Sequence, residues 1–140
     1  MNARADLICI HPTDSGYLHH IPPIARDEQE LHTLTQAMAR FSVGWLSRSH
    51  QFDGVVLCQS VHYSDERAVE ILVDLVCHRD EVGKRLMEEV ERVLGLYCKR
   101  LTVHTLGDER VKAMYQSLGF FLVSEISLPT ITSYVMKKIL

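Results

Sequence analysis

The chain lacks the features that usually announce a metal centre, a membrane span or a nucleic-acid surface. Its four cysteines, Cys9, Cys58, Cys77 and Cys98, stand far apart, with no CxxC pair and no Cys/His cluster at ligand spacing. No metal is therefore expected, and buried free thiols are. His19 and His20 are adjacent, which keeps them off a common helix or strand face, so a loop pair is expected. No apolar run approaches the roughly 18 residues of a membrane span, and the opening MNARADLICIHP has no signal-peptide core. A cytoplasmic protein with no membrane partner is the expectation. The formal charge is −3 and lysines and arginines are scattered, which removes the electrostatic footprint of a nucleic-acid partner. Internal repeats, low-complexity segments and linkers are missing too. With 140 residues, 46% of them hydrophobic, the chain is long enough for one core, and a single domain over residues 1–140 is expected.

What is present is a regular alternation of strand and helix signals. Leu7 to Ile10 is a short apolar run stopped by His11 and Pro12. Residues 11 to 26 hold Asp14, Gly16, Pro22 and Pro23 and read as a long loop with at most a short helical turn. Asp27 followed by Glu30 resembles a capping box, and Leu31, Leu34, Met38 and Phe41 recur at helical spacing, which predicts a helix over 28–40. A hairpin follows, with arms at 43–49 and 55–62, Phe52, Asp53 and Gly54 between them, and a further turn over 64–67.

The run AVEILVDLVC, 68–77, alternates. Ile71, Val73, Leu75 and Cys77 share one face, while Glu70, Leu72, Asp74 and Val76 share the other. One face is apolar and the other carries two acids, so this strand is a candidate for chemistry. After it, Val82, Leu86, Val90, Val93 and Leu94 form a single stripe and predict a helix over 82–96 that packs on a sheet. RLTVHTL reads as a strand. Asp108 can cap a short helix with Val111, Met114, Tyr115 and Leu118 in period, closed by Gly119. FFLVSEI and ITSYVMKKI supply two closing strands. The strand, helix, strand order across 68–105 implies a parallel pair with a right-handed crossover.

Three stretches in this order, EILVDLVCHRDEVGKRLMEEVE, LTVHTL and ERVKAMYQSLGFF, resemble the Gcn5-related N-acetyltransferases over about residues 43 to 138. The third is the most specific: Tyr115, Gly119 and Phe120 fall at the family's spacing. The first departs from the family's phosphate-loop pattern. Gly83 matches, but Glu81 stands where the first glycine belongs, the loop is short, and Asp80 adds a second carboxylate. The resemblance implies an α/β fold with a mixed sheet of about six to seven strands, centrally parallel and otherwise antiparallel, flanked by helices.

It also implies a function: transfer of an acetyl or other acyl group from acetyl-CoA to the primary amine of a small molecule or peptide, by direct attack and without a metal. Helix N-terminal amides suit a pyrophosphate, because they point at the ligand and the dipole favours negative charge. Leu75, Val76, Arg79, Val82, Gly83 and Lys84 are the expected cofactor-binding residues. A backbone N–H near Leu75 or Val76 is expected to face the oxyanion. Tyr115 is the expected general acid toward the departing thiolate. Glu70 is the expected general base, with Asp74 and His104 behind it. The loop 11–26 and the segment 127–133 are expected to admit the amine. Two alternatives remain at this level: a non-catalytic module of the same fold with little or no coenzyme A binding, fed by the acidic loop, and an unrelated α/β ligand-binding domain. The open edge at the closing strands leaves a homodimer possible.

Overall fold

The computed structural model of the protein describes residues 6–48, 51–61 and 69–140, Val69 by its backbone alone. The turn expected over 64–67 lies outside them. Seven strands form one sheet: β1 (Leu7–Ile10), β2 (Val43–Arg48), β3 (Phe52–Val61), β4 (Val69–Cys77), β5 (Cys98–Gly107), β6 (Phe121–Ser127) and β7 (Thr132–Ile139). Their order is β1-β2-β3-β4-β5-β7-β6. The β4–β5 pair is parallel and the other neighbours are antiparallel. Three helices flank the sheet: α1 (Glu28–Met38), α2 (Asp80–Leu94) and α3 (Glu109–Ser117). None of the helices among the described residues is long and apolar enough to cross a membrane.

Each helix begins where its sequence provides a start. The Asp27 carboxylate accepts the Glu30 N–H at 2.8 Å, and Glu30 in turn accepts the Arg26 N–H at 2.8 Å. This is a capping box whose return bond lands one residue earlier than the usual pattern. Asp108 caps α3 by accepting the Arg110 N–H at 2.9 Å. α2 opens on Arg79, whose side chain makes no capping bond, and its first turn is acidic, Asp80 and Glu81.

The two faces of the sheet bury separate apolar clusters. Val73, Leu75, Leu101, Val103 and Met136 pack with Leu86 and Val90 of α2 and Tyr115 of α3. On the opposite face Val55, Leu57 and Val76 pack with Leu34 and Ala37 of α1 and with Ile21 and Ile24. Those two isoleucines are fully buried, and they anchor the long loop 11–26, which folds into two 3₁₀ turns, Leu18–His20 and Pro22–Ile24. His19 and His20 sit in the first of them.

Three expectations need correction. Gly54 is not a turn residue but lies inside β3, paired with Ser47 and Cys77; a Cβ there would meet Val82 Cγ1 at 2.6 Å, so the glycine lets α2 approach the sheet. Helix α2 starts at Asp80, two residues earlier than its apolar stripe suggests, because the acidic turn ahead of the stripe is helical. Cys58, Cys77 and Cys98 are buried free thiols, but Cys9 is exposed, since β1 is an edge strand.

The feature that matters for function is where β4 and β5 part. They pair from Val69 opposite Cys98 to Leu72 opposite Thr102. Beyond that point residues 73–77 and 103–107 diverge, and the gap between the strands opens into a cleft.

Candidate active site

The cleft encloses about 670 Å³ and is lined by the end of β4 from Leu75, the β4–α2 loop, the end of β5, and Val111, Met114 and Tyr115 of α3. The start of α1, from Arg26 to Thr33, and Thr130 and Ile131 of the β6–β7 loop complete it. Of the segment 127–133, Thr130 and Ile131 line the cleft. Of the segment 11–26, Arg26 reaches the wall; the rest is held away by its own buried isoleucines.

Tyr115 forms the floor. Its Schellman-type setting explains the spacing of the tyrosine, glycine and phenylalanine. Gly119, at φ +96°, donates its N–H to Gln116 O at 3.0 Å, and Phe120 donates to Tyr115 O at 3.1 Å. The reversed chain then brings the Phe120 ring edge-on to Tyr115, 5.5 Å between centroids, the apolar contact that accompanies such helix ends. The motif therefore locks Tyr115 against β4. Its hydroxyl accepts the Leu75 N–H at 3.1 Å and lies 3.4 Å from Leu75 O. Burial, and then the nearby Asp74 carboxylate, push the phenol far above its ordinary pKa. It is held in the protonated form.

The same bond corrects one expectation. The Leu75 N–H is committed to Tyr115 and is not free to hold an oxyanion. Successive peptide groups of a strand point to opposite edges, so the Val76 N–H turns toward β3, where Val55 is its partner residue. His78 confirms the phase, donating its N–H to Asp53 O at 3.0 Å. The next amide on the cleft edge is that of Cys77.

At the head of α2, the N–H groups of Val82 and Gly83 already bond Arg79 O, at 3.1 and 3.3 Å. The amides ahead of the first helical bonds are those of Asp80 and Glu81. Gly83 sits a turn inside the helix, and a Cβ there would meet Cys77 Sγ at 2.9 Å, so its lack of a side chain serves helix–strand packing. Val82 is buried in the core, and Lys84 is exposed away from the cleft lining. Arg79 does line the cleft, and it bridges Asp53 at 3.4 Å and Glu81 at 3.2 Å. That bridge draws the Glu81 carboxylate toward the guanidinium. The His78 ring bonds Ile24 O at 2.8 Å, tying the β4–α2 loop to the long loop.

The N-termini of all three helices border this one cleft, each with an arginine beside it: Arg26, Arg79 and Arg110. Three positive dipole ends and three guanidinium groups suit a polyanion. Asp27, Glu30, Asp80 and Asp108 share the lining and moderate that field.

Glu70 is not in the cleft. It lies where β4 and β5 are still paired, beside Arg100 in register, and is 2% exposed. Thr102 Oγ1 donates to its carboxylate, and Lys137 Nζ stands 3.2 Å away. Leu75, which holds the Tyr115 hydroxyl, is five residues further along an extended chain, or roughly 16 Å at 3.3 Å per residue, so Glu70 lies far from the cleft floor. Its polar position on an apolar strand reflects a buried ion pair.

The other acid of that face lies beside the adjoining cleft. Asp74, 6% exposed, receives a hydrogen bond from Arg40 Nη2 at 3.3 Å. Burial raises its pKa, opposed by Arg40 and His104. It lines a second, smaller cleft of about 240 Å³ on the α1 face of the sheet, together with His32, Gln36, Arg40, His104 and Ser133. Gln29, Thr33, Thr105 and Leu106 line both clefts, so the two adjoin. Arg40 carries no sequence signal for this role: it sits 34 residues from Asp74, and only folding makes them neighbours. Cys77, the thiol nearest the cleft floor, is pushed up to about 11 by burial, which leaves it a poor nucleophile at neutral pH.

No family model and no curated protein sequence matches the chain. Solved structures do. The GNAT-family acetyltransferase of Streptococcus pneumoniae is 16% identical, with 96% of this chain and 99% of that one aligned at a TM-score of 0.63. The GNAT domain of S. lividans PAT is 12% identical over 96% and 89%, at 0.70. The yncA protein of Salmonella typhimurium, solved with its cofactor acetyl-CoA, is 9% identical over 94% and 91%, at 0.63. The chain has the GNAT fold: a mixed seven-stranded sheet with one parallel pair, flanked by helices.

Proposed function

We propose that the protein transfers an acyl group from acyl-coenzyme A, with acetyl-CoA the first candidate, to an amine by direct attack. The observation that carries this reading is the Tyr115 hydroxyl fixed on Leu75 at the floor of the β4–β5 cleft. The amides of Asp80 and Glu81, with Arg79, Arg26 and Arg110 around the mouth, are the groups that would hold the pyrophosphate and the remaining phosphate.

In this reading Asp74 takes the place first expected of Glu70. The amine gives a proton to the Asp74 carboxylate and its nitrogen lone pair attacks the thioester carbon. The Cys77 N–H, on the cleft edge, steadies the oxyanion. As the tetrahedral intermediate collapses the C–S bond breaks, the departing thiolate takes the Tyr115 proton, and the phenolate takes up the second proton of the attacking nitrogen. Desolvation holds Asp74 closer to neutral pH than a free carboxylate, which improves it as a base.

A second reading, a non-catalytic module, draws on the acidic first turn of α2 and on the engagement of Arg79 with Asp53 and Glu81. A thermal melt with and without acetyl-CoA, followed by an assay of free thiol release with an amine panel, separates the two. A ligand that binds the native state alone raises stability by RT ln(1 + [L]/Kd). A concentration-dependent rise in Tm with thiol release supports the transferase. A rise without release supports the module, and no rise at millimolar ligand sinks the transferase.

A further inference from the structure

Resting on that reading, we infer that the acceptor is a small amine that carries its own carboxylate, an α-amino acid in the simplest case, seated in the second cleft with its amine on Asp74 and its carboxylate on Arg40.

The charge arrangement of that cleft is unusual for an amine site. Among the described residues Asp74 is the single acid in its lining, and it is already hydrogen-bonded to Arg40. His32 and His104 are the other titratable groups on the wall. An amine approaching Asp74 therefore comes within a few ångströms of the guanidinium. A simple cationic amine, a polyamine or a lysine side chain would meet Arg40 as a like charge in a partly desolvated site, where such contacts are costly. An amine bearing a carboxylate has the opposite experience. Its two charges match the two halves of the Asp74–Arg40 pair, so it inserts into the pair and leaves neither partner alone. Arg40 is 41% exposed at its side chain while Asp74 is 8%. The guanidinium is thus the partner free to swing and receive a carboxylate with paired N–H groups, the geometry arginine favours.

Size points the same way. At about 30 Å³ per water, 240 Å³ is the volume of roughly eight waters, enough for a small amino acid. Gln36, Ser133 and Thr33 add neutral hydrogen-bonding groups to the wall, and Leu106 is its single aliphatic side chain.

The test compares acceptors that differ by the carboxylate alone: alanine with ethylamine, serine with ethanolamine, and histidine with histamine. Acetyl transfer is followed for the wild type, Arg40→Met and Arg40→Lys, with the acetyl-CoA thermal shift recorded for each. The wild type is expected to favour each amino acid by tenfold or more in kcat/KM. Arg40→Met should erase that ratio by raising KM for the amino acids, and Arg40→Lys should restore part of it. Equal or better use of the decarboxylated amines by the wild type overturns the inference, as does a carboxylate preference that survives Arg40→Met. If none of the six acceptors is used while acetyl-CoA still raises Tm, the acceptor assignment falls, and thiol release with a wider amine panel then decides between the transferase and the module. If acetyl-CoA neither binds nor is consumed, both fall.

Discussion

The Leu75 N–H donates to the Tyr115 hydroxyl at 3.1 Å across forty residues of sequence, and this contact joins the strand that opens the cleft to the helix that supplies its floor. The phenol proton makes only a long bond in return, to Leu75 O at 3.4 Å. It is available to another base at that point.

Tyr115→Phe should lower kcat by about 10²–10⁴-fold, the range for loss of a general acid, with little change in acetyl-CoA affinity. It should also cost about 1–3 kcal/mol of stability, because it leaves a buried N–H unpaired. Steady-state kinetics and urea unfolding measure the two effects separately. Normal turnover would remove Tyr115 from the chemistry.

Asp74→Asn and Glu70→Gln should behave in opposite ways. The first should abolish most turnover, since Asp74 lines the second cleft. The second should keep turnover yet lower stability by about 1–3 kcal/mol, since it weakens the buried contacts to Thr102 and Lys137. Loss of activity in soluble, folded Glu70→Gln would reinstate Glu70 as the base.

The pH profile should carry the mark of Asp74. Its pKa is raised, chiefly by burial, so the acid limb of kcat/KM should lie above the ordinary carboxylate value of about 3.9. Arg40 pulls that pKa down, so Arg40→Met should move the limb to higher pH. The stability contribution has a definite sign. The native state holds this proton more tightly than the unfolded chain, so the Asp74 contribution falls as pH rises past the unfolded pKa and levels off above the folded one. An acid limb at an ordinary carboxylate position, unmoved by Arg40→Met, would count against Asp74.

Two glycines should respond differently to alanine. Gly54→Ala forces a Cβ within 2.6 Å of Val82 Cγ1 and 3.1 Å of Leu86 Cδ1; overpacking of this kind costs about 1–3 kcal/mol. Gly83→Ala meets only the end of the Cys77 side chain at close range, and it gains about 1 kcal/mol of helix propensity. It should leave stability within about 1 kcal/mol of wild type and acetyl-CoA binding intact. A lost thermal shift in a stable Gly83→Ala protein would restore Gly83 to the phosphate site.

Periodicity and capping chemistry made most of the elements legible before folding. The strand alternation of 68–77, the α2 stripe, the Asp27 and Asp108 caps and the Gly119 stop are all local patterns, and each appears in the structure within a few residues of its expected bounds. Tyr115 was legible for the same reason, since its motif encodes a helix end that closes on itself. Glu70 was misjudged because alternation gives a side chain's face but not its height along the strand. Glu70 and Asp74 share a face, yet one lies where β4 and β5 still pair and the other where they have separated. That Gly83 packs against Cys77 was not legible, because the sequence does not show which side chain a Cβ at that helix position would meet. The sequence by itself determined the elements, their order and the helix end that holds Tyr115 at the cleft floor, because these depend on neighbours a few residues apart. Tertiary structure alone decided which acid reaches the cleft and that Arg40 is its partner, because both depend on where β4 and β5 diverge and on the crossing of α1 over that gap.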